Sequence, residues 1–208
     1  MIKALNHSLY RLWWSLFSKF GISFYFAELH IFNTINISPN KSILLLPNHF
    51  SWWDGFIAYR LSDILFKKTF YVMMLYKNLK VNRVLRGAGA FSIEKNSKSI
   101  FETFAYTKEL LTNPNNMVTI FPQGIIQSVH DKEIIFESGV QKILKRNESP
   151  VQIVLLATLI DYLDKPKPTI FAFTKLYEGE IHLLHEAFIA HYETSKLELA
   201  AYVKAKMA

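Results

Sequence analysis

The stretch Ser42-Ile43-Leu44-Leu45-Leu46-Pro47-Asn48-His49-Phe50-Ser51-Trp52-Trp53-Asp54 passes from six uncharged, mostly aliphatic residues into a polar and aromatic junction. An apolar run of that length, closed by a proline, reads as a buried strand, and residues 53–66 then carry helical periodicity. Ser51 followed three positions later by Asp54 has the form of a capping box, which places the helix start. The same strand-then-helix step recurs downstream. Thr69–Leu75 reads as a strand and 76–85 as a helix, and Ala90–Ile93 is a short strand reached through Gly87 and Gly89. Over 97–111, Ile100, Phe101, Phe104, Lys108 and Leu111 fall at three- and four-residue spacing, with Ser97 as cap and Pro114-Asn115-Asn116 beyond the end. Residues 117–121 predict a strand, 139–146 a helix and 151–159 a long apolar strand. Two more strands, 169–175 and 180–184, flank the turn at Glu178-Gly179, and a terminal helix starts at Ser195. Such alternation predicts an α/β fold: a mixed, mostly parallel sheet with helices on both faces.

The 208 residues suffice for one domain with an appendage. Half are hydrophobic, 15% are aromatic and 20% charged, which excludes disorder. The absence of cysteine removes disulfides, thiolate zinc sites and cysteine nucleophiles. A net charge of +7 on so apolar a chain points to an anionic membrane surface or polyanionic ligand before nucleic acid. Residues 1–20 read as an amphipathic helix, with Asn6, His7, Arg11, Ser15, Ser18 and Lys19 on one face and Leu5, Leu9, Leu12, Trp13, Leu16, Phe17 and Phe20 on the other. Basic residues opposite Trp, Leu and Phe suit a helix lying in a lipid interface, although ordinary packing on the protein's own core produces the same periodicity. Lys19, Glu28 and His30 interrupt the most apolar stretch, so no spanning helix is expected, and no small-residue cleavage site follows it. These readings divide the chain into a membrane-associating helical segment, 1–35, and an α/β domain, 36–208, at the cytoplasmic face of the membrane.

Reactive groups in α/β folds gather at the carboxyl ends of strands. There, His49 and Asp54 stand five positions apart across the predicted strand-to-helix junction. On one continuous helix they would diverge, but across a turn the carboxylate can accept from one imidazole nitrogen while the other faces a substrate. A capped helix beside a satisfied loop histidine is the competing account, and spacing alone does not choose between them.

Three later segments extend the pattern: Gly89-Ala90-Phe91-Ser92-Ile93-Glu94-Lys95, Phe121-Pro122-Gln123-Gly124-Ile125-Ile126 and Pro150-Val151-Gln152-Ile153-Val154. Taken with Asn48-His49 and Asp54, the chain resembles the glycerolipid acyltransferase family of lysophosphatidate and glycerol-3-phosphate acyltransferases. The similarity covers residues 43–157 and follows the order of the family's four motifs. It implies transfer of a fatty acyl group from acyl-CoA or acyl carrier protein to a lipid hydroxyl, without metal, other cofactor or covalent enzyme intermediate. His49 would be the general base and Asp54 its orienting carboxylate, while Asn48, Lys95, Phe121, Pro122, Gln123 and Gly124 would bind substrate.

Lys95 stands where the family has arginine, and Gln123, Ile125 and Ile126 replace its glutamate, threonine and arginine. Lysophosphatidate is the first acceptor that the resemblance suggests. The altered third motif implies that the head group is bound differently. Either Lys95 with Arg83 or Arg86 holds the phosphate, or the acceptor has none, as in a glycosylated carotenoid, an amino-acid lipid or a sugar lipid. A catalytically silent lipid-binding protein is the alternative from another class.

Other signals are weaker. His182, His185 and His191 lack the four-residue spacing of a helical zinc site, and no glycine-rich phosphate loop is present. Gly-x-Ser-x-Gly is absent, and scattered Lys and Arg carry no nucleic-acid signature.

Overall fold

In the computed structural model, which describes residues 1–5, 7–95, 97–131, 133–145 and 149–207, the all-buried strand β2 (Ser42–Pro47) lies at the centre of the sheet. It pairs in parallel with β5 (Asn116–Thr119) on one side and β6 (Val151–Asp161) on the other. Beyond β5 come β3 (Thr69–Leu75) and β4 (Ala90–Ile93), also parallel. β7 (Thr169–Tyr177) turns back antiparallel on β6, and β1 (Leu29–Phe32) joins β7 in parallel. The order β1-β7-β6-β2-β5-β3-β4 is the expected mixed, mostly parallel sheet.

Alternation along β2 shows why both faces are covered. Ile43 and Leu45 enter a core with Trp14, Ile57, Leu61 and Leu79, whereas Leu44 and Leu46 pack with Leu110, Leu111, Val140, Ile143 and Phe188. The first face carries α1 (Ser8–Tyr25), α2 (Asp54–Leu61) with its π-turn Ser62–Phe66, and α3 (Tyr76–Val81). The second carries α4 (Ser99–Leu111), α5 (Gly139–Leu144) and α6 (Leu184–Met207). Each fully buried aliphatic side chain contributes roughly 1.5–3 kcal/mol, and a strand buried on both faces gains at every position.

The termini depart from expectation. The first helix does not begin at Met1: residues 1–5 run without helix beside β4, where Ser92 N–H donates to Ile2 O (2.9 Å) and Ile2 N–H to Ser92 Oγ (2.7 Å). A tertiary partner for the main chain overrides local periodicity here. Asn6, assigned to the polar face, lies outside the described residues, as does Arg146 at the end of the helix predicted over 139–146. Residues 29–32, within the segment 1–35, form β1 of the sheet. The strand expected at 180–184 is instead a 3-10 turn, Ile181–Leu183, leading into α6, which begins eleven residues before Ser195.

The orientation of α1 is the other difference. The hydroxyl part of its polar stripe faces the protein, while His7, Arg11 and Lys19 are exposed: Ser18 is fully buried, Ser15 Oγ donates to Asp63 Oδ2 (2.6 Å) and Arg11 Nη1 reaches Thr69 Oγ1 (3.1 Å). Its apolar stripe faces outward, with Leu9 69%, Leu12 60% and Phe20 65% exposed. No helix among the described residues is long and apolar enough to cross a membrane.

Gly89 controls the approach to β4. It closes the 3-10 turn Arg83–Ala88 at φ +91°, and a Cβ there would lie 2.1 Å from Phe70 O. Gly89→Ala is therefore expected to destabilise the fold by about 2–4 kcal/mol, as left-handed strain adds to a backbone clash. Urea denaturation measures the loss.

Candidate active site

β2 delivers Asn48 and His49 at its carboxyl end. Asn48 is buried and continues the sheet with its side chain: Nδ2 donates to Thr158 O (2.9 Å) and Oδ1 accepts from Thr158 N–H (2.7 Å). It faces β6 and does not line the cavity.

His49 and Asp54 meet across the turn. The imidazole Nδ1 donates to Asp54 Oδ2 at 2.8 Å, the carboxylate being acceptor-only. The same oxygen accepts Phe50 N–H (2.7 Å) and Ser51 N–H (2.8 Å). The bond to Ser51 N–H is one half of the predicted capping box. The other half is replaced, because Ser51 Oγ accepts from Trp53 N–H (2.9 Å). The helix itself starts at Asp54, behind Trp53 and without a side-chain cap, so this carboxylate ties down the entering turn and orients the histidine. Burial pushes the Asp54 carboxyl above its ordinary 3.8, against the opposing pull of the bond from His49 and the two amides.

Phe121 stacks on the imidazole with ring centroids 4.2 Å apart, fixing the ring plane. Behind the ring, the buried Gln123 brackets the His49 peptide: its Oε1 accepts His49 N–H, and its Nε2 donates to His49 O (3.2 Å) and to Gln127 Oε1 (2.8 Å). Gln127 N–H adds a bond to His49 O (2.9 Å). Gln123 is therefore part of the support for His49 and is not among the cavity-lining residues.

A cavity of about 460 Å³ opens beside His49, within the usual range for ligand sites. It wraps the carboxyl ends of β3, β4 and β5 and reaches both sheet faces. Tyr59, Phe70, Val72 and Ala90 line it from the first core, while Ile120, Val140 and Ile143 line it from the second. Phe121, Pro122, Gly124 and Lys95 lie in the lining. Lys95 is paired with Glu137, whose own N–H donates to Pro122 O (2.8 Å). Arg83 and Arg86 do not line the cavity, and Arg86 Nε instead donates to Lys3 O (2.9 Å).

Sequence reasoning assigned no role to Glu137, Gln127, Trp52 or Lys77. Glu137 and Gln127 act through contacts distant in sequence that no local period encodes. The tryptophan beside the His-Asp motif was a usable signal: Trp52 lines the cavity and is 62% exposed. The three C-terminal histidines do not assemble, since His191 Nε2 is held by Phe173 O (3.0 Å) and His185 stacks on Phe136. No cluster that could hold a metal occurs among the described residues.

The family model described as Acyltransferase matches residues 28–162. The fold is similar to the crystal structure of the 1-acyl-sn-glycerophosphate (LPA) acyltransferase PlsC from Thermotoga maritima, with a TM-score of 0.62 and 16% identity, covering 92% of this chain and 80% of that one. No curated protein sequence matches the chain.

The bracket around His49 requires one donor and one acceptor on the same side chain. In Gln123→Glu, a carboxylate oxygen would face His49 O and Gln127 Oε1. A loss of about 1–3 kcal/mol in thermal unfolding at neutral pH is expected, shrinking as acid protonates the new carboxyl.

Proposed function

The chain belongs to the acyltransferase family, and on that premise we propose that it transfers a fatty acyl group from an acyl thioester to a hydroxyl of a lipid acceptor. The observation that carries this reading is the His49–Asp54 pair beside an apolar cavity. With Nδ1 committed to Asp54, Nε2 remains for the substrate; no protein hydrogen bond to it occurs among the described residues.

In the proposed reaction the acceptor hydroxyl lies within hydrogen-bond reach of Nε2. Its oxygen attacks the thioester carbonyl as its proton passes to His49, and Asp54 stabilises the imidazolium. Collapse of the tetrahedral intermediate breaks the C–S bond, and the proton leaves with the thiolate. Transfer is direct, and no covalent enzyme intermediate is involved. Acyl-CoA and acyl carrier protein both supply such a thioester, and the basic chain suits either anionic donor.

The outward apolar stripe of α1 supports attachment to a membrane, proposed to be the cytoplasmic face. The stripe is continuous with the cavity mouth through aromatic contacts: Phe17 packs on Phe56, and Phe56 on Trp52, and both Phe56 and Trp52 line the cavity. A lipid acceptor can thus leave the bilayer and reach His49 along apolar surface. These contacts favour lipid over a soluble alcohol as acceptor.

His49→Ala is expected to abolish acyl transfer in a radiolabelled thioester assay while leaving the circular dichroism spectrum and vesicle binding unchanged. Retained transfer would reject His49 as the base. Asp54→Asn should slow transfer on the order of 10²–10⁴-fold. Stability responds differently. A raised Asp54 value means that folding favours the protonated carboxyl; this contribution is complete below 3.8 and is lost as pH rises through the folded value. Asp54→Asn removes the titrating group, so the variant's melting temperature should lack this pH-dependent loss.

The α1 surface has its own test. Leu12→Ser, Leu16→Ser and Phe20→Ser combined should weaken sedimentation with anionic vesicles at least about tenfold without changing the melting temperature, since all three side chains are exposed. Unchanged sedimentation would overturn this membrane contact.

A further inference from the structure

The polar lining of the cavity is sparse and its charges are mostly spent. Beside the apolar walls stand His49, Tyr59, Lys77, Asn78, Lys95 and Glu137. The Tyr59 hydroxyl is engaged with Arg11 O (3.0 Å). Lys77 is exposed on α3, a single flexible ammonium at the rim. Lys95 is already bound to the Glu137 carboxylate.

The place of that ion pair is set by the turn that holds the imidazole. Phe121 stacks on His49, and Gly124, three residues on, sits directly under the pair: a Cβ at Gly124 would lie 2.5 Å from Glu137 Oε1 and 2.8 Å from Lys95 Nζ. Gly124 adopts φ +66°, so both its conformation and its lack of a side chain suit this contact. The bond from Glu137 N–H to Pro122 O fixes the carboxylate's loop to the same turn. His49 and the Lys95–Glu137 pair line the same cavity, so a lipid whose hydroxyl reaches Nε2 shares that cavity with the pair. The following residues, Ile125 and Ile126, line the cavity too and add no cation.

We propose that this site accepts a lipid whose head group is uncharged and bears hydroxyls, and that it selects against a phosphomonoester. The inference rests on the acyl-transfer reading above and names the class of its acceptor. A single head-group hydroxyl beside the reacting one matches the pair, its oxygen accepting from the Lys95 ammonium while its O–H donates to the Glu137 carboxylate. A phosphomonoester carries about −1.5 to −2 charges and only acceptor oxygens at neutral pH. It would have to displace Glu137 from Lys95 or sit against that carboxylate in a partly desolvated cavity. Lys77 cannot supply the bidentate geometry that holds a phosphate firmly.

The test compares 1-monoacylglycerol with 1-acylglycerol-3-phosphate of the same acyl chain, in the full-length wild type and in Glu137→Gln. For wild type, kcat/KM for the monoacylglycerol is expected to equal or exceed that for the phosphate lipid; a preference for the phosphate lipid overturns the proposal. Glu137→Gln frees Lys95, so the ratio should move about tenfold or more toward the phosphate lipid. An unmoved ratio would leave the pair without its selective role and overturn the proposal as well. If neither lipid is acylated, the acyl-transfer reading itself fails. Binding of the two lipids to His49→Ala, followed by tryptophan fluorescence, reads the head group without the chemistry: binding tightened by the phosphate overturns the inference, and equal or weaker binding of the phosphate lipid sustains it.

Discussion

One carboxylate oxygen organises the junction from β2 to α2. Asp54 Oδ2 gathers the His49 imidazole and the amides of Phe50 and Ser51, while Oδ1 is buried without a hydrogen-bond partner. A carboxylate placed this way is costly, as the upward displacement of its protonation range shows. The cost is tolerated because the same oxygen ties down the turn before α2 and holds a ring. An apolar residue at position 54 would relieve the burial cost but would leave two amides and an imidazole N–H without their acceptor.

Two further constraints complete the ring's placement, and both come from the chain after β5. The ring of Phe121 fixes the plane and the amide of Gln123 fixes the peptide. Neighbouring strands β2 and β5 thus both contribute to the site, in register through Ile43 with Met117 and Leu45 with Thr119. A polar side chain at the end of one strand is positioned by the end of the next. The parallel arrangement makes this possible, because it brings both carboxyl ends to the same edge of the sheet.

Much of this was legible in the sequence, and the limits have physical causes. β2, β3 and β4 stand where apolar runs end at proline, at glycine or at a change of period, and His49 and Asp54 stand where the spacing across a turn predicts. The start of α6 was also present as a pattern: Leu184, Phe188, His191, Tyr192, Ser195 and Leu199 are buried at three- and four-residue spacing. The turn at Glu178-Gly179 masked it, because a hairpin suggests that a strand follows on both sides. The helical period of the first five residues misleads, since their place beside β4 depends on Ser92, some 90 positions away. Asn48 and Gln123 illustrate a different limit. Motif position marks them as near the chemistry, but only tertiary partners show that their amides face the scaffold.

The orientation of α1 shows why amphipathicity alone could not say which face meets the protein. The usual rule sends the apolar stripe to the core. Here Ser15, Ser18 and Arg11 find partners on the first sheet face, in Asp63, the helix's own carbonyls and Thr69. Small hydroxyl side chains let α1 approach closely, and Gly21 continues that approach, with space for a Cβ only 3.3 Å from the Trp53 ring. The helix is seated by its polar side and by Trp14 and Ile22, which leaves Leu9, Leu12, Trp13, Leu16 and Phe20 exposed together. A stripe of this size in water is a liability unless something apolar covers it. Its continuity with Phe56 and Trp52 directs the choice of cover, because a bilayer on that stripe would deliver hydrophobic substrate to the cavity mouth, and the depth of the cavity would then separate the reacting hydroxyl from bulk water.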